Sequence, residues 1–167
     1  MNLDARVFRK AGGSPSNAER FDASSAMLRR GEVSGLNPTR DLAFRANPIP
    51  QIVVTGDDTV AMLNEQAELL FGLSARDIGR LLRDLEVSYR PLELRNYIEQ
   101  AKIDRRSALI QDVQWQRPGS DTAWYEVHIN PLIDSDNGLV GVSIAFFDVT
   151  STRTLLDKVV EANRQLE

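Results

Sequence analysis

Between residues 51 and 63 two short apolar runs flank a polar turn. Ile52-Val53-Val54-Thr55 is β-branched throughout, Gly56-Asp57-Asp58 interrupts it, and Thr59-Val60-Ala61-Met62-Leu63 follows, a pattern that predicts a β-hairpin. Asn64 ends the second run. Its side chain can accept a backbone N–H two or three residues on and cap a helix through Glu65–Phe71, which Gly72 closes in a left-handed conformation. Leu63, Ala67, Leu70 and Phe71 share one face of that helix. Ser74 followed by Asp77 reads as the start of another short helix, with Gly79 at its end. Leu94, Tyr97, Ile98 and Ala101 then recur at helical spacing and predict a longer helix, opening at Pro91 and running to about Lys102.

Three strand-like runs come next. Leu109–Arg117 is separated from Thr122–Ile133 by Pro118-Gly119-Ser120-Asp121, and that run from Leu139–Val149 by a loop ending in Asn137-Gly138, so both separators predict hairpins. Within the middle run Tyr125, Val127 and Ile129 alternate with Trp124, Glu126, His128 and Asn130, which assigns one face to the core and the other to a more polar surface. Two strands, several short helices, one longer helix and three antiparallel strands together predict an α+β fold: one five-stranded antiparallel sheet with helices on one face. A last helix-like run leaves the sheet directly after Asp148-Val149-Thr150 and meets no glycine or proline before Glu167.

The first forty residues have a different texture. Ala5-Arg6-Val7-Phe8-Arg9 is a strand-like scrap, and 11–40 read as a linker rich in glycine, serine and small polar residues. Asp41 is placed to cap a short helix that ends before Pro48.

Composition narrows the chemistry. The 167 residues suit one domain with flanking segments, and a net charge of −4 with no broad basic footprint argues against nucleic acid or an anionic membrane as partner. There is no cysteine and one histidine, which removes disulfides, thiol nucleophiles, thiolate metal sites and multi-histidine metal sites together. No apolar run approaches the roughly 20 residues of a membrane span, and Met1-Asn2-Leu3-Asp4 lacks the pattern of a secretory signal, so a cytoplasmic location is expected. His128 lies on the polar parity of a strand, outside any helical His-Glu stretch, and reads as a solvated sheet residue. No glycine-rich phosphate loop and no Ser/His/Asp set can be assembled. The chain is therefore expected not to be an enzyme.

Over about residues 41–150 the order of elements resembles a PAS sensory domain. Asn64-Glu65-Gln66-Ala67-Glu68-Leu69-Leu70-Phe71-Gly72-Leu73-Ser74 is similar to the family's asparagine-capped helix, Trp124-Tyr125-Glu126-Val127 with Asn130-Pro131-Leu132 to its penultimate strand, and Gly141 through Asp148-Val149-Thr150 to its last strand and closing Asp-x-Thr. A narrower likeness, at Ser88–Arg95 and Asp112–Gly119, is to PAS modules that follow a CheR-type chemotaxis methyltransferase. That resemblance makes 1–10 the tail of such an enzyme, 151–167 a linker helix, and a histidine kinase or methyltransferase the neighbouring domain. The resemblance also bears on cofactors. Flavin-type photosensors of the family use a cysteine and the usual haem sensors a histidine on the long helix, neither of which is present, so haem and flavin are disfavoured. A sheet folded over helices leaves room for a small organic ligand, although side chains more often fill such a space.

The remaining candidates are surfaces. Leu156, Val159, Asn163 and Leu166 are spaced 3, 4, 3, and Leu155, Val159, Ala162 and Leu166 are spaced 4, 3, 4; either set fits a heptad seam for a homodimer, against the alternative of a helix packed back on its own domain. Asp148 and Thr150 stand where sheet becomes helix, and their oxygens could bond backbone groups there and relay a signal. Trp115 and Trp124 read as partner anchors or as sheet packing. The outer face with Trp124, Glu126 and His128 is the first choice for dimer contacts. The expected function is a dimerising sensory module of a bacterial signal-transduction protein. A ligand-free assembly scaffold, and more remotely a fragment of a methyltransferase fusion, are the alternatives.

Overall fold

The computed structural model describes residues 38–166; the expected strand-like scrap at 5–9 and most of the linker lie outside them. The chain divides into two units at Leu42/Ala43. Of the first, residues 38–42 are helical, and the helix (α1) continues to residue 45. Asp41 sits inside it and so is no N-cap, a correction to the sequence reading.

The second unit holds five strands and three further helices. Strands β1 (Gln51–Thr55) and β2 (Val60–Leu63) form the first hairpin; β3 (Ala108–Trp115), β4 (Ala123–Ile133) and β5 (Leu139–Asp148) form the second group. All pairs are antiparallel, in the order β2-β1-β5-β4-β3. Only the β1–β5 seam joins the two groups within the sheet. It runs from Gln51↔Ala145 to Thr55↔Gly141, and Gly141 is required there because a Cβ would run into the Val54 carbonyl oxygen.

Helices α2 (Glu65–Phe71) and α3 (Leu94–Asp104), with 3-10 turns at Ala75–Asp77, Leu82–Asp84 and Glu86–Ser88, cover one face of the sheet. Ile52, Val54, Val127, Ile129, Val142, Ile144 and Phe146 point from the strands into the same core as Leu82, Leu94, Ile98 and Ala101. Burial of that apolar area is the main stabilising contribution. Asn64 caps α2, accepting from Ala67 N at 3.0 Å, and Gly72 ends it at φ 65°.

Two boundaries differ from the sequence reading. The Ser74 segment is a single 3-10 turn, closed by a Ser74/Asp77 capping box. Helix α3 begins at Leu94 instead of Pro91, because Glu93 occupies the N-cap and its carboxylate accepts from Arg95 N at 3.3 Å; it extends past Lys102 to Asp104 and ends at Arg105 in the left-handed region. The final helix, α4 (Thr150–Gln165), has no buried residue. The alternative of a helix packed back on its own domain is thereby corrected.

Candidate functional site

The junction of β5 with α4 is closed by a run of hydrogen bonds to Trp124. Val149 N donates to Trp124 O at 2.8 Å, and Trp124 N donates to Thr150 Oγ1 at 2.9 Å. Both backbone groups of Trp124 are thus held by consecutive residues. The Thr150 N–H donates to Asp148 Oδ1 at 3.0 Å, which satisfies one of the N–H groups a helix start leaves unpaired. Arg153 N donating to Val149 O at 2.9 Å makes the first helical bond, and Thr154 Oγ1 donates to Thr150 O at 2.9 Å. The Asp148–Thr150 bond is local in the sequence, whereas the Trp124–Thr150 bond joins residues 26 apart.

Arg153 was not anticipated. Its guanidinium carbon lies 3.8 Å from the centroid of the Trp124 ring, and the same group pairs with Asp112. Asp112 is in position because β3 carries a bulge: Ile110 pairs with Val127 and Val113 with Tyr125, so Gln111 and Asp112 both stand opposite Glu126. Asp112 adopts φ 59°, a left-handed conformation in which aspartate is enriched. Its carboxylate is thereby turned toward α4. The only warning in the sequence is an aspartate inside a strand run, where aspartate is depleted.

The two tryptophans serve different places. Trp115 stacks on Phe71 with centroids 5.4 Å apart and planes at 19°, and tilts against Tyr125 at 6.0 Å; it belongs to the edge of the core. Trp124 belongs to the junction. On the outer face the His128 ring lies 4.4 Å from that of Phe147, with His128 Nε2 3.8 Å from Glu126 Oε2. Glu126 Oε1 also accepts from Gln111 Nε2 at 3.4 Å. Leu156, Val159 and Asn163 of α4, and Leu166 at its C-cap, are all exposed.

Elsewhere, Lys102 Nζ lies 2.6 Å from Asp58 Oδ1 and 2.8 Å from Glu99 Oε1, beside a cleft of about 390 Å³ between the β1–β2 turn and α3. Burial pushes the Lys102 ammonium down, but hydrogen bonds to the two carboxylates outweigh it and hold its pKa above the ordinary value. Among the described residues no group of three or more His, Asp or Glu side chains could hold a metal ion, and no helix is long and apolar enough to cross a membrane.

A five-stranded antiparallel sheet in the order 2-1-5-4-3, helices on one face and a helix leaving from the last strand define one α+β domain. The family model described as PAS domain matches residues 50–151, and the chain belongs to the PAS family. Among curated proteins none matches it. Solved structures share the fold. The PAS domain of the histidine kinase ThkA is 22% identical, covering 60% of this chain and 98% of its own, with a TM-score of 0.51. A PAS domain from Colwellia psychrerythraea is 18% identical over 70% of this chain and 98% of that one, at 0.53. The Vibrio cholerae VqmA dimer is 17% identical over 68% and 53%, at 0.56.

Proposed function

We propose that this PAS domain is a regulatory module of a signal-transduction protein, pairing with a second copy through α4 and passing a change in the sheet along that helix. The carrying observation is α4 itself. It has no buried residue, and Leu155, Leu156, Val159, Val160 and Leu166 are each between 46% and 86% exposed, an apolar set that a second helix would cover. Leu156, Val159, Asn163 and Leu166 form the seam, with Asn163 fixing its register. The dimeric state of the VqmA relative agrees with this reading.

The relay runs through Asp148 and Thr150. With the Thr150 bond to Trp124 N and the Arg153 contacts made, α4 leaves at one angle; with them released, it is free to take another, and any input favouring one state shifts the balance. Trp124, Glu126 and His128 supply the outer-face surface on which a second copy or a neighbouring domain bears. In this reading the neighbour is a histidine kinase or, from the likeness at 88–95 and 112–119, a CheR-type methyltransferase, and the module is cytoplasmic. Sedimentation of the chain ending at Thr152 tests the seam. Weaker association with an intact fold is expected, and association as tight as the full chain's would remove the basis of the relay.

A further inference from the structure

A second cleft, of about 360 Å³, lies directly against the junction. Pro48, Pro50, Leu69 and Leu70 form its apolar walls, while Gln66, Arg117, Tyr125 and Asp148 supply its polar groups. Tyr125 is the informative member. It is 3% exposed, yet its hydroxyl bonds to no described residue and is not sealed from solvent, and it is one of the residues that line this cleft. With no partner among the described residues, that hydroxyl keeps both its donor and its acceptor capacity for a ligand.

Charges of opposite sign flank that hydroxyl. Arg117 is half-buried beside Trp115, its guanidinium carbon 5.4 Å from the ring centroid, and makes no ion pair among the described residues. Asp148 commits Oδ1 to the Thr150 N–H, leaving Oδ2 with its acceptor capacity. Both charges act on the same phenol: burial pushes the Tyr125 pKa up, the Asp148 carboxylate pushes it further, and Arg117 opposes. The two do not pair with each other, although both line one small space.

We propose that this cleft binds a small zwitterion with an apolar side chain, an aliphatic α-amino acid, with its carboxylate on Arg117 and the Tyr125 hydroxyl, its ammonium on Asp148, and its side chain against the prolines and leucines. A plain anion would meet the Asp148 carboxylate, and a plain amine would meet Arg117; only a ligand carrying both charges satisfies both. An ammonium on Asp148 also draws on the carboxylate that holds the first N–H of α4. Occupancy therefore bears on the direction of the helix, and this last step rests on the relay reading above.

The test is titration of the full chain with L-valine, L-leucine and L-isoleucine, read by calorimetry and by the amide resonances of Leu69 and Tyr125. The single-charge analogues 4-methylpentanoate and 3-methylbutylamine serve as controls. At least one amino acid is expected to bind saturably, and each analogue at least about tenfold more weakly, the loss of one charge-assisted contact. Arg117→Gln and Tyr125→Phe are each expected to weaken amino-acid binding by about tenfold. Tyr125→Phe removes a hydroxyl with no partner among the described residues and so is expected to keep the melting temperature. Saturation by none of the three, equal binding of either analogue, or native affinity in both variants would overturn the site. A monomer that binds leucine would keep the site and remove the dimer relay; a dimer indifferent to every probe would do the reverse.

Discussion

Arg153 lies over the Trp124 ring, and the same guanidinium pairs with Asp112 of β3. Asp112 is 70% exposed, so the ion pair contributes roughly 0–1 kcal/mol, and the aromatic face adds about 0.5–1 kcal/mol. Removal should therefore cost little stability while freeing the helix. Arg153→Ala is expected to lower stability by about 1 kcal/mol and to broaden the distance distribution between spin labels at positions 114 and 161. The chain has no cysteine of its own to interfere with labelling. An unchanged width would show that this contact does not set the direction of α4.

Asn64 does more than cap α2. Its Oδ1 also accepts from Gln51 N at 2.9 Å, and its Nδ2 donates to Ile49 O at 2.6 Å and Asn47 O at 3.3 Å, all in a fully buried position. A lost cap alone costs about 1 kcal/mol; Asn64→Ala also leaves buried backbone groups unpaired and is expected to cost about 3 kcal/mol. Urea unfolding measures it, and a loss of 1 kcal/mol or less would reduce the residue to a simple cap.

Two glycines should respond differently to alanine. At Gly72 the space is open and only the left-handed φ of 65° is at stake, so Gly72→Ala is expected to cost about 1 kcal/mol. At Gly141 the added methyl group meets the Val54 carbonyl in the central seam, and Gly141→Ala is expected to cost about 3 kcal/mol or more. Equal thermal shifts for the two would mean that the seam can part without penalty.

The Lys102 cluster gives a pH dependence of known sign. The hydrogen bond from Lys102 holds the Glu99 carboxyl below its ordinary 4.5, with burial opposing. Its contribution is complete above pH 4.5 and is lost as the pH falls through the lower native value. Lys102, raised above 10.5, contributes fully below that value and loses the contribution as the pH rises through its native one. The urea midpoints of the native chain and Glu99→Gln should therefore converge as the pH drops below 4.5. A gap that stays constant from neutral to acid pH would show that charge plays no part.

The features readable from sequence were those with local causes. The β1–β2 hairpin follows from a turn between β-branched runs, the Asn64 and Gly72 caps from residue types suited to those backbone positions, and the alternation of β4 from its period of two. The start of α3 was misplaced because Pro91 is a favoured first helical residue, whereas the cap is Glu93, which propensity does not favour. The bulge at Asp112 and its contact with Arg153 join residues 41 apart, and no local pattern encodes that pairing. The cleft around Tyr125 draws on five segments, from Pro48 to Asp148, so it exists only once the sheet has closed.

That closure has an order in time. β1 is an inner strand of the sheet, between β2 and β5, yet its partner β5 is the last strand made, with roughly 90 residues between Gln51 and Ala145. At a synthesis rate of about 5–20 residues per second, β1 waits on the order of 5–20 s with one edge unpaired. During that interval only the short β2 hairpin covers it, and a two-strand hairpin is marginal in water. Newly made chains of this domain thus expose the β-branched run Ile52-Val53-Val54-Thr55 until the sequence of the junction itself has emerged, a window in which chaperone binding or strand-to-strand aggregation competes with folding.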